Sequence, residues 1–139
     1  MITAVDTSVL LDVFGADESF GRLSSEAIRQ GLDEGILVAC DVVWSEVVAA
    51  FSSDKAANNA MYTLGVQFSA VEASAASLAG HMFARYKKGG GDRRRIVPDF
   101  LIGSHAIVSA DRLLTRDRGY YRQYFHDLIV WDPSLQLGR

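Results

Sequence analysis

Four acidic residues stand where a folding chain would be expected to place apolar ones. Asp6 ends the apolar run of MITAVDTSVLLDVF, Glu46 lies within VVWSEVVAAF, Asp99 follows Pro98 in PDFLIGSHA, and Asp117 comes just after LLT in LLTRDRGYY. An ionised carboxylate is costly away from water unless it is paired or bound to a metal. Three of the four have a plain structural reading. Glu46 can edge the apolar stripe of Val43, Val47 and Ala50. Asp99 can meet the dipole of a first helical turn, and Asp117 can cap the turn that follows it. Asp6 resists such a reading, because capping would still leave it at a strand's C-terminal edge inside a layered core. Asp99 also aligns with Ile102 and Ala106 at i+3 and i+7, on an inward face. Carboxylates brought to one place repel and raise one another's pKa unless a cation compensates. Carboxylate oxygens and water are the ligands of Mg²⁺ or Mn²⁺. Two such ions can activate a water and stabilise the leaving oxygen of a phosphodiester. Ser8 and Thr115, each two residues from an acid, can orient a carboxylate or a metal-bound water, or serve only as local caps.

The elements that must position these acids alternate along the chain. ITAVD reads as a strand and TSVLLDVF as a short helix. SFGRLSSEAIRQGLDEG is an amphipathic helix ending at Gly35, ILVAC a second strand, and VVWSEVVAAF a helix capped by Asp41. A helix over KAANNAMYTLG, a strand VQFSA and a long helix EASAASLAGHMFARYKK follow. After the Gly89–Gly91 loop, PDFLIGSHAIVSA is a helix with Pro98 at its start. LLT is a strand, YYRQYF a helical turn and LIVWD the last strand. Short apolar strands alternating with helices predict an α/β fold, a three-layer α/β/α sandwich around a central, mainly parallel five-stranded sheet. Ligands of such sheets bind beyond the C-terminal ends of the strands, which is where Asp6 and Asp117 fall.

The bulk numbers narrow the classes. A chain of 139 residues, 49% hydrophobic and 22% charged, reads as one domain over 1–139 with a sizeable core. No apolar run approaches the ~20 residues of a membrane span, so no membrane partner is expected. The opening residues lack a basic n-region and cleavage site, so no signal peptide is read. The lone Cys40, read as plain core, excludes an internal disulfide framework and a cysteine zinc site and fits a reducing compartment, the cytoplasm. A net charge of −3 argues against a protein that passively coats nucleic acid. It does not argue against an enzyme that gathers carboxylates in one place and basic residues in another.

The order VDTSVLLD, WSEV, PDFLIGSHA and LLTRDRGYY resembles the PIN-domain ribonucleases, and within them the VapC-type toxins of prokaryotic toxin–antitoxin pairs. The resemblance runs over essentially the whole chain. It implies a metal-dependent endoribonuclease whose acids map onto Asp6, Glu46, Asp99 and Asp117, with Mg²⁺ or Mn²⁺ as cofactor and RNA as substrate. It also implies a five-stranded parallel sheet, a cognate antitoxin protein whose arm blocks the site, and a homodimer. Ser8 stands where many relatives carry Asn, a mild change between small polar residues. Arg93, Arg94, Arg95 and Arg116 are the basic residues best placed for phosphate contact, whereas Lys87 and Lys88 read equally well as a solvated helix end. Tyr120, Tyr121, Tyr124 and Phe125 read as core before a base-stacking platform, and His81, His105 and His126 as structural. Asp12 faces away from Asp6 and reads as a surface or structural acid, so that Asp12→Asn is expected largely to spare cleavage. A haloacid-dehalogenase-type phosphatase would need an acid at Ser8, and a response-regulator receiver a lysine after LLT. The stronger rival is a catalytically inactive PIN-like module that binds RNA or protein, against which the retention of all four acids argues.

Overall fold

Asp6 leaves the central strand of the sheet. A computed structural model describes residues 1–91, 96–116 and 119–138. In it β1 (Ile2–Val5), β2 (Ile36–Ala39), β3 (Val66–Phe68), β4 (Arg112–Leu114) and β5 (Val130–Trp131) pair in parallel in the order β3-β2-β1-β4-β5. The chain therefore builds outward from β1 on one side, then returns to build outward on the other. The switch lies between β1 and β4, and the crevice beyond their C-terminal ends is the natural ligand site of such a sheet.

The helices follow the sequence reading: α1 (Thr7–Phe14), α2 (Gly21–Glu34), α3 (Asp41–Ala49), α4 (Asp54–Leu64), α5 (Ala73–Lys88), α6 (Ile96–Ser109) and α7 (Tyr120–Tyr124), with a closing 3₁₀ turn at Pro133–Gly138. They cover the sheet in the expected α/β/α layers. None of the described helices is long and apolar enough to cross a membrane. Helix ends obey local chemistry. Ser53 caps α4 by accepting the Ala56 N–H at 3.1 Å, and Gly65 stops it in the left-handed region at φ 93°. Two local expectations shift. Pro98 is the third residue of α6, not its start. Asp41 is the first residue of α3, with Cys40 at the cap position, and its Oδ1 accepts the Val71 N–H at 3.3 Å. That carboxylate ties α3 to the segment before α5.

An aromatic cluster holds α5, α6 and α7 together. Phe100 meets Tyr86 at 5.6 Å between ring centroids and Phe125 also at 5.6 Å, and Tyr86 meets Tyr124 at 5.3 Å. Gly103 lets α7 approach, since a Cβ there would lie 2.8 Å from the Phe125 ring. Tyr121 and Phe125 are buried, as is Cys40.

His105 is buried as well, with Nε2 2.8 Å from Ser69 Oγ. Burial holds its pKa below the ordinary 6.5, against the weaker pull of Asp41 and Glu72. The unfolded chain then takes up this proton more readily than the folded one. The stability tied to His105 is complete above pH 6.5 and falls as the pH drops below it. Calorimetric melting between pH 8 and pH 5 should show a steeper acid-side loss for the wild type than for His105→Gln. Parallel curves would mean that His105 does not titrate differently on folding.

Candidate active site

The C-terminal end of β1 is a point of dense hydrogen bonding. The Asp6 N–H donates to the Leu114 carbonyl at 2.9 Å, which locks the end of β1 to the end of β4. Asp6 then caps α1 with extended backbone angles, its Oδ1 accepting the Thr7 N–H at 2.7 Å. Its Oδ2 accepts the Thr115 hydroxyl at 2.7 Å. The Thr7 hydroxyl in turn donates to Glu46 Oε1, exposed on α3, at 2.6 Å. One threonine thus holds both carboxylates, one through its backbone and the other through its side chain.

The electrostatics of Asp6 run against its ionisation. Burial pushes its carboxyl above the ordinary carboxylate value, outweighing the bonds from Thr115, Thr7 and, least, the Tyr121 hydroxyl, while Glu46 adds repulsion. A carboxylate desolvated beside a second acid is a place for a cation, and two sets of hard oxygen donors suit Mg²⁺ or Mn²⁺. Asp99 is in the first turn of α6, partly buried, and α6 packs against β1, β4 and α3, the three elements around the pair. Among the described residues no three acids, histidines or cysteines are gathered closely enough to hold a metal. Asp117, Arg93, Arg94 and Arg95 lie outside the described residues.

The remaining candidates sit beside this pair. Ser8 Oγ does not reach a carboxylate in the bonds described; it faces the Arg116 N–H at 3.5 Å. Arg116 turns its guanidinium onto Asp12, with Nε to Oδ2 at 2.6 Å and Nη2 to Oδ1 at 2.8 Å, and lies 4.1 Å over the Phe20 ring. Asp12 also accepts the Ser24 hydroxyl at 2.8 Å and is buried, so of its two readings the structural one holds. The bond to Asp12 raises the Arg116 pKa further above its already basic value. Sequence reasoning passed over Thr7, and it read Tyr121 as core without linking its hydroxyl to Asp6. Thr7 carried one usable signal, its place as first helical residue beside the acid.

The family model of the PIN domain matches residues 3–126. No sequence among curated proteins matches the chain. Solved structures do. VapBC2 of Rickettsia felis, bound to a DNA fragment from its promoter, superposes with a TM-score of 0.73 at 15% identity, over 95% of this chain and 98% of that one. VapBC-1 of nontypeable Haemophilus influenzae gives 0.73 at 20% identity, over 96% and 99%. VapC20 of Mycobacterium tuberculosis, a sarcin–ricin loop cleaving toxin, gives 0.58 at 14% identity, over 87% and 93%.

Proposed function

The chain belongs to the PIN-domain family, and from that premise we propose that it is a divalent-metal-dependent endoribonuclease, the toxin of a toxin–antitoxin pair. The observation that carries this reading is the Thr7-bridged pair of Asp6 and Glu46, set at the switch point of a parallel sheet. Asp6 and Glu46, with Asp99 and Asp117, would hold Mg²⁺ or Mn²⁺. The ion supplies a water of lowered pKa and offsets charge on the leaving oxygen of the phosphodiester. The chain's own residues do the rest. Thr115 and the Thr7 N–H fix the rotamer of Asp6 from both oxygens, and the Thr7 hydroxyl aims Glu46. Arg93, Arg94 and Arg95, which precede Asp99 in the sequence, would take RNA phosphates. The similar VapBC structures support a cognate antitoxin as partner, and the sarcin–ricin loop cleaving toxin supports RNA as substrate. The protein acts in the cytoplasm as a homodimer.

The test is purified protein on structured RNAs with Mg²⁺ or Mn²⁺. Cleavage is expected, abolished by EDTA. Replacing a residue that merely orients a metal ligand costs 10–100-fold, so Asp99→Asn should cost at least about a hundredfold. Equal cleavage by wild type and variant would overturn the assignment. RNA retention without turnover under either ion would favour the inactive binding module instead.

A further inference from the structure

Two consecutive residues at the end of β4 reach opposite ends of α1. Thr115, its N–H bonded to the Trp131 carbonyl at 3.0 Å, sends its hydroxyl to Asp6 at the helix's N-cap. Arg116 extends the other way and grips Asp12, six residues on, which is about 9 Å along the helix axis. Both Arg116 bonds are charge-assisted and parallel, the arrangement in which a guanidinium is most strongly oriented. Asp12 is fixed in its turn. Ser24 of α2 donates to Oδ2, the Asp17 N–H donates to its carbonyl at 2.9 Å, and the Phe20 ring lies under the guanidinium. The side chain of Asp12 is only 5% exposed and that of Arg116 23%. A phosphate would have to compete with a desolvated bidentate carboxylate for the same guanidinium.

We propose that the Asp12–Arg116 ion pair is a positioning clamp, which holds the end of β4 against α1 so that Thr115 stays on Asp6, and that Arg116 serves this role rather than RNA contact. The clamp's consequence for turnover rests on the ribonuclease reading. It revises the expectation that Asp12→Asn spares cleavage.

The discriminating variants are Arg116→Gln, Arg116→Lys, Asp12→Asn and the neutral pair Asp12→Asn with Arg116→Gln. Removing a group that orients a metal ligand typically costs 10–100-fold, so kcat should fall by about 10–100-fold in each single variant with KM little changed. The double variant should be no worse than the poorer single one, as expected of two halves of one interaction. Lysine keeps the charge but cannot form the fork, so Arg116→Lys should stay impaired. RNA affinity in EDTA and its salt dependence should match the wild type. If Arg116 bound phosphate instead, its salt slope would drop by about one, Lys would rescue, and Asp12→Asn would leave kcat unchanged; that pattern overturns the clamp. If the wild type cleaves no RNA, the ribonuclease reading fails on its own. Hydrogen exchange then decides the clamp. Faster exchange at the Asp6 and Thr115 amides, with α4 and α5 unchanged, supports it, and exchange unaltered in all variants overturns it.

Discussion

Asp6→Asn is expected to abolish RNA cleavage and, in the same molecule without divalent ions, to raise the melting temperature. The two effects have one cause. Burial and the Glu46 charge put the folded pKa of Asp6 above the ordinary 3.8, so the folded state holds this proton more tightly than the unfolded chain does. The resulting penalty sets in as the pH rises above the ordinary value and grows until the raised folded value is passed. The Thr7 N–H at the helix start favours the charge, but burial outweighs it. Asparagine caps a helix as well as aspartate does and keeps a hydrogen bond for Thr115, while removing the charge. A gain of about 1 kcal/mol is the scale at which relieving a site built for activity stabilises a protein. Divalent ions should reverse the order. At a hundred times its Kd an ion that binds only the folded state adds about 2.7 kcal/mol, and the variant should forgo most of it. Thermal melts in EDTA and in saturating Mn²⁺, beside an RNA cleavage assay, read all three effects. If Asp6→Asn melts below wild type in EDTA, Asp6 is a stabilising cap and not the anchor of a metal site.

Much of this arrangement is legible in the residues, and the parts that are not share a physical reason. The apolar runs and their caps mark the helices well. The limits of α1 match TSVLLDVF, and Gly65 ends α4 where a left-handed residue is needed. Asp6 is suspect from its neighbours alone, because a local run of buried residues surrounds it. What escapes is pairing across the chain. Thr7 reaches Glu46 across 39 positions because of how α1 and α3 pack, and strand order decides that packing. Arg116, in a stretch rich in arginines, reads as phosphate-binding until folding brings Asp12 to it from 104 positions upstream. Asp41 reads as a cap from spacing, but the Val71 N–H, 30 positions on, donates to its carboxylate and draws it away. Side-chain charge can be read from sequence, whereas the partner that satisfies it cannot.

Asp12 should answer oppositely to Asp6, and this sign is the sharpest distinction between the two acids. Asp12→Ala strands the Arg116 guanidinium against Phe20 and leaves the Ser24 hydroxyl without its acceptor in a buried place. Breaking a buried pair by removing one partner costs 3–5 kcal/mol; with Arg116 still partly open to water, about 3 kcal/mol is expected. For a domain of this size that corresponds to roughly 10 °C in melting temperature. The cost belongs to the abandoned charge more than to the lost attraction. Removing both charges, as in Asp12→Leu with Arg116→Met, should therefore recover most of the stability, since apolar replacement of a buried pair is often neutral or better. Urea denaturation of the single and double variants in EDTA measures this without any assumption about activity. If the double variant is as unstable as the single one, the pair stabilises by its own attraction and the desolvation argument fails. If neither is destabilised, the buried pair contributes nothing to the stability of the fold. Neutralising an acid that stabilises the fold lowers its stability, whereas neutralising one held for a cation raises it, so two melting curves sort Asp12 from Asp6 before any RNA is cut.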